Sequence, residues 1–356
     1  VKKMTPREIT LHTLRHRHAD RMPVTLDVGA SAGIDSSYLD VFRSRTNRQD
    51  PEEYFDYDIR IVRAPLSATC GDFSGYYDSV PPGTTFDEFG VGHVPSSDFP
   101  LGRDLHPWQL FDSPQQVRDY PFPVFELQES TCQAIRGLHE KGYAVSVSAG
   151  SINEWCCYLR GMDEFMMDLA FRPEMAAAIL DRVTSLCVRM GGALAGAGAD
   201  ILCFYGDMGG QKGLLIGPEM WEKWILGRWR EIIGATRLRS ADALLFYHSC
   251  GFIEPIIPGL IDAGFQILNP VQPESMDPLR IKRLFGGRIS LWGGIGVQST
   301  MLGGSPEEVR TAATELVREW TRGGGGIVTA AQTILRDVPW ENVLALVEAI
   351  GGRPAG

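Results

Sequence analysis

Short apolar runs alternate with stretches of helical period along most of this chain. Leu11, Leu14 and their neighbours give residues 5–18 one apolar face, which predicts an opening helix. Met22-Pro23-Val24-Thr25-Leu26-Asp27-Val28-Gly29 reads as a first strand running into a Gly/Ser/Ala-rich loop. A helix follows through Tyr38, Leu39, Val41 and Phe42, and Asp58-Ile59-Arg60-Ile61-Val62 is a weaker strand. From about residue 115 the alternation becomes regular. Helices over 128–141, 172–196, 218–236, 253–263, 277–285 and 305–322 each precede a short, apolar, β-branched run, at 144–149, 201–207, 244–250, 266–270, 289–294 and 326–331. A last helix spans 339–350.

Strands of this kind, each followed by a helix, predict a parallel sheet with helical crossovers. Seven or eight such units fit an α/β fold of one kind, a (β/α)8 TIM-type barrel forming a single domain over 1–356. Residues 68–120 break the pattern, being rich in Gly, Pro, Asp, Ser and aromatics. Phe86-Asp87-Glu88-Phe89-Gly90-Val91-Gly92 suggests a hairpin there, and the stretch is too short to bury its own core, so it reads as a rim insertion. No Gly-x-Gly-x-x-Gly follows the first strand, and the glycine run 323–326 precedes a strand, the wrong side for cradling phosphate at a helix N-terminus.

A barrel of this type carries its active site at the carboxyl ends of the strands. The run Ala243-Leu244-Leu245-Phe246 ends in Tyr247-His248-Ser249-Cys250-Gly251. Residues i and i+2 of a strand share a side, so His248 and Cys250 offer an imidazole and a thiol together, the two side chains zinc favours. The duller reading makes both of them core residues, with the histidine bonded to a backbone carbonyl. Other strand ends supply Asp27, Asp207, Asn269, Gln272, Trp292 and Gln332. Asp207 suits a substrate or metal role, or a helix cap. Asp27 suits substrate binding, or bonding to the amides of its own loop. Asn269 and Gln272 flank Pro270 and either face a ligand or fix that turn. Trp292 is a binding platform or a core residue.

Composition narrows the function. A formal charge of −10 excludes the basic face that nucleic acid needs and disfavours an anionic membrane surface. No apolar run reaches the 18–20 residues that span a bilayer. Val1-Lys2-Lys3-Met4-Thr5-Pro6 leads into a charged helix and not into a signal-peptide core, so a cytoplasmic location is expected. Seven cysteines, an odd number set mostly in apolar segments, are not a disulfide framework.

Taken in order, several stretches resemble the uroporphyrinogen decarboxylase superfamily, and its corrinoid-dependent methyltransferase branch above all. They are Asp20-Arg21-Met22-Pro23-Val24, Asp87-Glu88-Phe89-Gly90, Leu159-Arg160-Gly161, Gly206-Asp207 through Gln211, and Gly217-Pro218-Glu219-Met220. Then come His248-Ser249-Cys250-Gly251, Ile267-Leu268-Asn269-Pro270-Val271-Gln272, Trp292-Gly293-Gly294-Ile295, and Gly324-Gly325-Gly326 through Pro339-Trp340-Glu341-Asn342. True uroporphyrinogen decarboxylases carry an Arg-rich loop after the first strand that grips the substrate's carboxylates. Here the loop Asp27-Val28-Gly29-Ala30-Ser31-Ala32-Gly33 has no arginine, which speaks against porphyrinogen decarboxylation. Thiol-methylating members bind zinc through His-x-Cys and a further Cys near the last strand, where this chain has Gln332.

The resemblance thus implies a zinc-assisted methyltransferase. It would move a methyl group between a corrinoid, on a carrier protein or as methylcobalamin, and a small acceptor. His248 and Cys250 would bind the metal, with Gln332 or Asp207 completing its shell, Asp207 and His248 would act in catalysis, and Asp27, Asn269, Gln272 and Trp292 would hold the small molecule. A homodimer is plausible by the same resemblance. Two other readings stay open. One is a metal-free decarboxylase or lyase acting on a small acid, with His248 as general acid. The other is a non-catalytic corrinoid- or ligand-binding relative, which Gln332 keeps in play.

Overall fold

The computed structural model describes residues 3–95 and 103–352. Residues 1–2, 96–102 and 353–356 lie outside the described residues. In chain order the strands are β1 (Ile59–Val62), the rim strands β2 (Thr85–Phe86), β3 (Gly92–Val94) and β4 (Arg103–Leu105), then β5 (Ala144–Ser151), β6 (Ile201–Tyr205), β7 (Leu244–His248), β8 (Ile267–Asn269), β9 (Ser290–Ile295) and β10 (Gly326–Ala330). Seven of them form one parallel sheet in the order β1-β5-β6-β7-β8-β9-β10, which curls into a TIM-type barrel with helices outside it. The predicted hairpin is present and gains a third strand, giving the small antiparallel sheet β2-β3-β4 on the rim.

The first predicted strand, 22–29, is not a strand. The segment 22–27 is extended and lies in the gap between β1 and β10, but side chains take up most of its hydrogen bonds. Pro23 has no N–H. The N–H of Val24 goes to Asp58 Oδ2 (2.6 Å), and the N–H of Asp27 to Thr25 Oγ1 (2.9 Å). The carbonyl of Asp27 accepts the indole N–H of Trp292 (2.8 Å), and that of Gly29 accepts the hydroxyl of Ser146 (3.0 Å). Backbone partners reach the Val24 carbonyl, from the Asp58 N–H at 2.8 Å, and Val28, which exchanges bonds with Ser31 at 2.9 and 3.1 Å. Val24 and Asp27 give their N–H groups to side chains, no eighth ladder forms among the described residues, and the sheet does not close on itself.

The opening helix is also shorter than its apolar face suggests. It runs Pro6–Leu14, started by a capping box between Thr5 and Glu8, and the chain turns at His16, whose φ is 54°. Helices Asn153–Arg160 and Met162–Phe171 were not evident in the periodicity.

Period-two alternation sorts the core into two layers. Ile201 and Cys203 of β6, Leu244 and Phe246 of β7, Ile267, Trp292 and Ile327 point inward, with Leu14 among them. Leu202, Phe204, Leu245, Tyr247, Leu268 and Val328 point out to the helices. Following the inward rows upward gives Tyr205 and Asp207 on one side and His248 and Cys250 on the next.

Candidate metal centre and cleft

His248 is the last residue of β7 and faces inward, so it ends the row of Leu244 and Phe246. It is 5% exposed. Its Nδ1 lies 2.5 Å from Asn269 Oδ1. Asn269 Nδ2 is already committed to the carbonyl of Trp292 (2.9 Å), so the oxygen is the end that faces the imidazole. Nδ1 therefore carries the proton, and Nε2 turns a lone pair toward the mouth.

Two further donor atoms meet that lone pair. Cys250 Sγ lies 3.6 Å from His248 Nε2, and Asp207 Oδ1 also lies 3.6 Å from it. The three ligand atoms are all within 4.8 Å of one another. Asp207 comes from the turn after β6, where Asn153 Nδ2 holds its carbonyl at 2.6 Å. The Asp207 carboxylate in turn accepts the backbone N–H of Cys250 (2.7 Å), which ties the two loops together. Close backbone approach completes the joint. A Cβ at Gly209 would sit 2.4 Å from the Cys250 carbonyl oxygen, and Gly251 has φ +76° and would clash with Gly209.

These residues fit a zinc ion. Zinc bonds to nitrogen, oxygen and sulfur at about 2.0–2.3 Å, which places tetrahedral neighbours roughly 3.3–3.7 Å apart. The two 3.6 Å separations fall in that interval. The neutral imidazole, with its far nitrogen bonded to an amide oxygen, is the form that ligates. Burial, with the Asp207 carboxylate second, pushes the Cys250 thiol up to about 12. Burial and again Asp207 push Glu154 up to about 7. A bound cation would favour the ionised forms of both groups.

The other predicted residues separate into two sets. Gln332 and Gln272 reach the site. Gln332 Nε2 lies 3.1 Å from Cys250 Sγ, while its Oε1 accepts the N–H of Thr333 (3.0 Å). As it stands Gln332 offers the sulfur a donor, and Asp207 supplies the third ligand atom. Gln272 Oε1 accepts the N–H of Gly251 (3.1 Å), which anchors the turn carrying Cys250. Asn269, Trp292 and Asp27 do not reach the cleft. Asn269 and Trp292 are fully buried, one orienting His248 and the other bridging to the Asp27 carbonyl. The Asp27 carboxyl is buried as well. Its Oδ1 accepts the N–H of Gly33 at 3.0 Å, and its Oδ2 has no hydrogen-bond partner among the described residues. Burial, with Glu52 second, pushes it up to about 8.

Beside the triad opens a cleft of about 360 Å³, lined from the ends of five strands by residues such as Gly210, Gln211, Gln272, Glu274, Gln298 and Gln332. The loop after the first segment narrows the rest of the mouth. Gly29 has φ +69°, and a Cβ there would lie 2.5 Å from the Phe246 ring, so the loop enters the barrel itself. The Tyr205 hydroxyl receives the Ala30 N–H (3.2 Å) and pairs with Ser31 Oγ (3.0 Å), and its ring lies 5.3 Å from that of His248. Sequence reasoning missed Tyr205, Glu154 and Glu274. All three lie at or just past strand ends, so the rule that found Asp207 would have found them.

The fold and site define a class: an α/β barrel with a soft metal-ligand cluster at the carboxyl ends of its strands. The chain belongs to the uroporphyrinogen decarboxylase (URO-D) family, whose model matches residues 107–352. Uroporphyrinogen decarboxylases from three strains of Coxiella burnetii are 26% identical to it over 186 residues, which is 50% of this chain and 48% of theirs. The chain thus spans about half the length of the curated relatives it matches. A methyltransferase from Methanosarcina mazei shares the fold, with a TM-score of 0.64 at 18% identity over 98% of each chain. Among the described residues no helix is long and apolar enough to cross a membrane.

Proposed function

We propose that this protein is a methyltransferase of the URO-D family that moves a methyl group between a corrinoid and a small acceptor held in the cleft. The observation that carries the reading is the meeting of His248 Nε2, Cys250 Sγ and Asp207 Oδ1 at one point of the barrel mouth. A methyltransferase of the same fold and family membership support it. Asp207, His248 and Cys250 would hold zinc, with Gln332 beside them. Zinc, when bound, supplies a Lewis acid that makes a thiol or similar acceptor nucleophilic at neutral pH.

The chain's own groups have distinct tasks. Asn269 keeps His248 in the ligating tautomer. Asp207 holds the Cys250 backbone and adds a negative charge that the ligand set needs. Gln332 donates toward the Cys250 sulfur and tempers its charge. Gln272, Gln211 and Gln298 present amides to the acceptor without adding net charge. The corrinoid would arrive as cobalamin or on a separate carrier protein, and a homodimer is the assembly we expect.

The second reading, a metal-free carboxy-lyase with His248 as general acid, draws on the carboxylate of Asp207 facing Nε2. The cleft weighs against it, because no arginine or lysine lines it among the described residues to grip a carboxylate substrate. Elemental analysis of wild type beside Cys250→Ala separates the two. The expected result is about one zinc per chain, lost in the variant, together with methylcobalamin consumption in the presence of a thiol. A well-folded wild type without metal and without corrinoid turnover would end the methyl-transfer reading. Tight ligand binding without any turnover would instead favour the non-catalytic relative.

A further inference from the structure

The amino end of the barrel holds a second cavity, of about 490 Å³, that the metal cluster does not use. It opens between the turn after the first helix and the glycine run before β10. His16, Arg17, His18 and Arg21 line it from the turn, and Gly323 and Gly324 from the run. The backbone is shaped for this close approach. His16 takes φ 54°, and Gly323, Gly324 and Gly325 take φ 78, 79 and 77°. A Cβ at Gly324 would lie 2.9 Å from His16 Cα, and one at Gly325 would fall on the His16 ring, so only glycine lets the run pack against the turn. The turn is also tied down. The N–H of Arg17 goes to the His12 carbonyl (2.8 Å), His12 Nδ1 lies 2.8 Å from the His18 carbonyl, and His16 Nε2 lies 3.2 Å from Ser290 Oγ of β9.

The charged groups that line this cavity are of one sign, with no aspartate or glutamate among them. Arg21 is matched by Asp58. Arg17 is exposed, and its guanidinium has no hydrogen-bond or ion-pair partner among the described residues; nor has the exposed His18 imidazole. The nearby acids are already engaged. Asp58 and Asp200 are taken by Arg21, Arg7 and His139, and Asp20 turns its carboxylate to the N–H of Met4 (3.4 Å). Lys282 does not line the cavity, but its Nζ stands behind the run and gives protons to the carbonyls of Trp320 and Gly324, both at 2.8 Å. Burial, with Lys282 second, holds His16 below its ordinary range, which leaves Arg17 as the unmatched charge at the opening.

An accessible guanidinium fork suits a carboxylate or a phosphate, and the neighbouring imidazole adds a further N–H. A metal cation would find no carboxylate here. Ala19, Met22 and Val317 supply apolar lining, which suits a ligand with a carbon skeleton. We propose that this cavity is a second ligand site, which takes a small organic oxyanion, a carboxylate or a phosphate monoester, on Arg17 and His18. It lies at the opposite end of the strands from His248 and Cys250, so it stands or falls apart from the methyl-transfer reading.

Titration calorimetry on the full chain tests the proposal with four probes: citrate, glycerol 3-phosphate, inorganic phosphate and the neutral glycerol. The expected result is saturable binding of citrate or glycerol 3-phosphate at one site per chain, tighter than inorganic phosphate, with no binding of glycerol. The tighter of the two names the oxyanion. Arg17→Gln should weaken that binding roughly tenfold or more, the scale of a charge-assisted hydrogen bond. Arg63→Gln, which removes the same charge just past the other end of β1, should leave it unchanged. Both side chains are exposed, so the urea melts of the two variants should superimpose on wild type. A metal at the mouth could draw an oxyanion too, so the titrations are repeated on Cys250→Ala, where the binding must persist. No binding of either organic anion, binding of inorganic phosphate as tight as theirs, equal loss in the two arginine variants, or loss in Cys250→Ala each overturns the proposal.

Discussion

The two ends of this barrel treat charge in opposite ways. At the amino ends of the strands, buried carboxylates are fully paired. Asp200, just before β6, takes a fork from Arg7 (3.0 and 2.8 Å), His139 Nε2 (2.9 Å) and the N–H of Val145 (3.0 Å). Asp58, just before β1, takes a fork from Arg21 (2.5 and 2.7 Å) and the N–H of Val24 (2.6 Å). At the carboxyl ends the acidic groups are left short of partners. Asp207 Oδ1 lies 3.6 Å from His248 Nε2, the Cys250 thiol has that same imidazole nitrogen at 3.6 Å and an amide at 3.1 Å, and Glu274 Oε2 has no hydrogen-bond partner among the described residues. One end spends its charges on holding the chain together. The other leaves donor atoms uncommitted, which is what a ligand or metal requires.

The sharpest break of this comparison is Cys250→Ala. At the mouth it should abolish metal binding and lower methyl transfer about 10³-fold, while changing unfolding stability by less than about 1 kcal/mol. Metal analysis, turnover and urea melts on one preparation check it, and a large loss of stability would show that the mouth is structural too. Asp200→Ala at the floor should do the opposite. It strands Arg7, His139 and a backbone N–H, and should cost about 3 kcal/mol in urea unfolding with metal content unchanged. Loss of metal in a folded Asp200→Ala protein would erase the division of labour.

Asn269→Ala reaches the mouth from within. It frees the His248 tautomer and should weaken metal affinity roughly 10–100-fold, read by competition with a chelator. An unchanged affinity would mean that packing alone orients the imidazole.

A further expected effect is confined to pH dependence and concerns Asp27, a buried carboxyl with one oxygen unpartnered among the described residues. Its folded pKa of about 8 lies above the ordinary 3.8, so the folded chain holds a proton that the unfolded chain releases. Its contribution to stability is full below pH 3.8 and is lost as pH rises toward 8. Asp27→Asn removes that dependence. Its melting curve should match wild type near pH 4 and lie on the order of 10 °C higher at pH 8. Parallel profiles for the two proteins would place the proton elsewhere.

Much of the fold was legible because buried parallel strands leave a continuous apolar trace. The runs at 144–149, 201–207, 244–250 and 326–331 each became a strand of the barrel. His248 and Cys250 were legible for the same reason, since a period of two puts residues i and i+2 together. The segment 22–29 shows where pattern fails. Its residues alternate as a strand should, but the acceptor for the Val24 N–H is a side chain 34 positions away. Asp27, Asn269, Trp292 and Gln272 shared one signature, a polar or aromatic residue at a strand end. Three of them turned out to be buried.

The sequence by itself determined most of the barrel strands and outer helices, and it placed an imidazole and a thiol on one side of a strand end, because both follow from local backbone geometry. Only the tertiary structure decided that Asp207 is their third partner, that Asn269 sets the histidine's proton, and that the loop after Asp27 enters the barrel against Phe246 and Tyr205. It also decided that Glu274 keeps an oxygen free. Each of these depends on which distant strands end side by side and on which backbone carbonyls and amides are already taken. Hydrogen bonds are saturable, and the groups left over at the mouth are known only after every other bond in the barrel has been made.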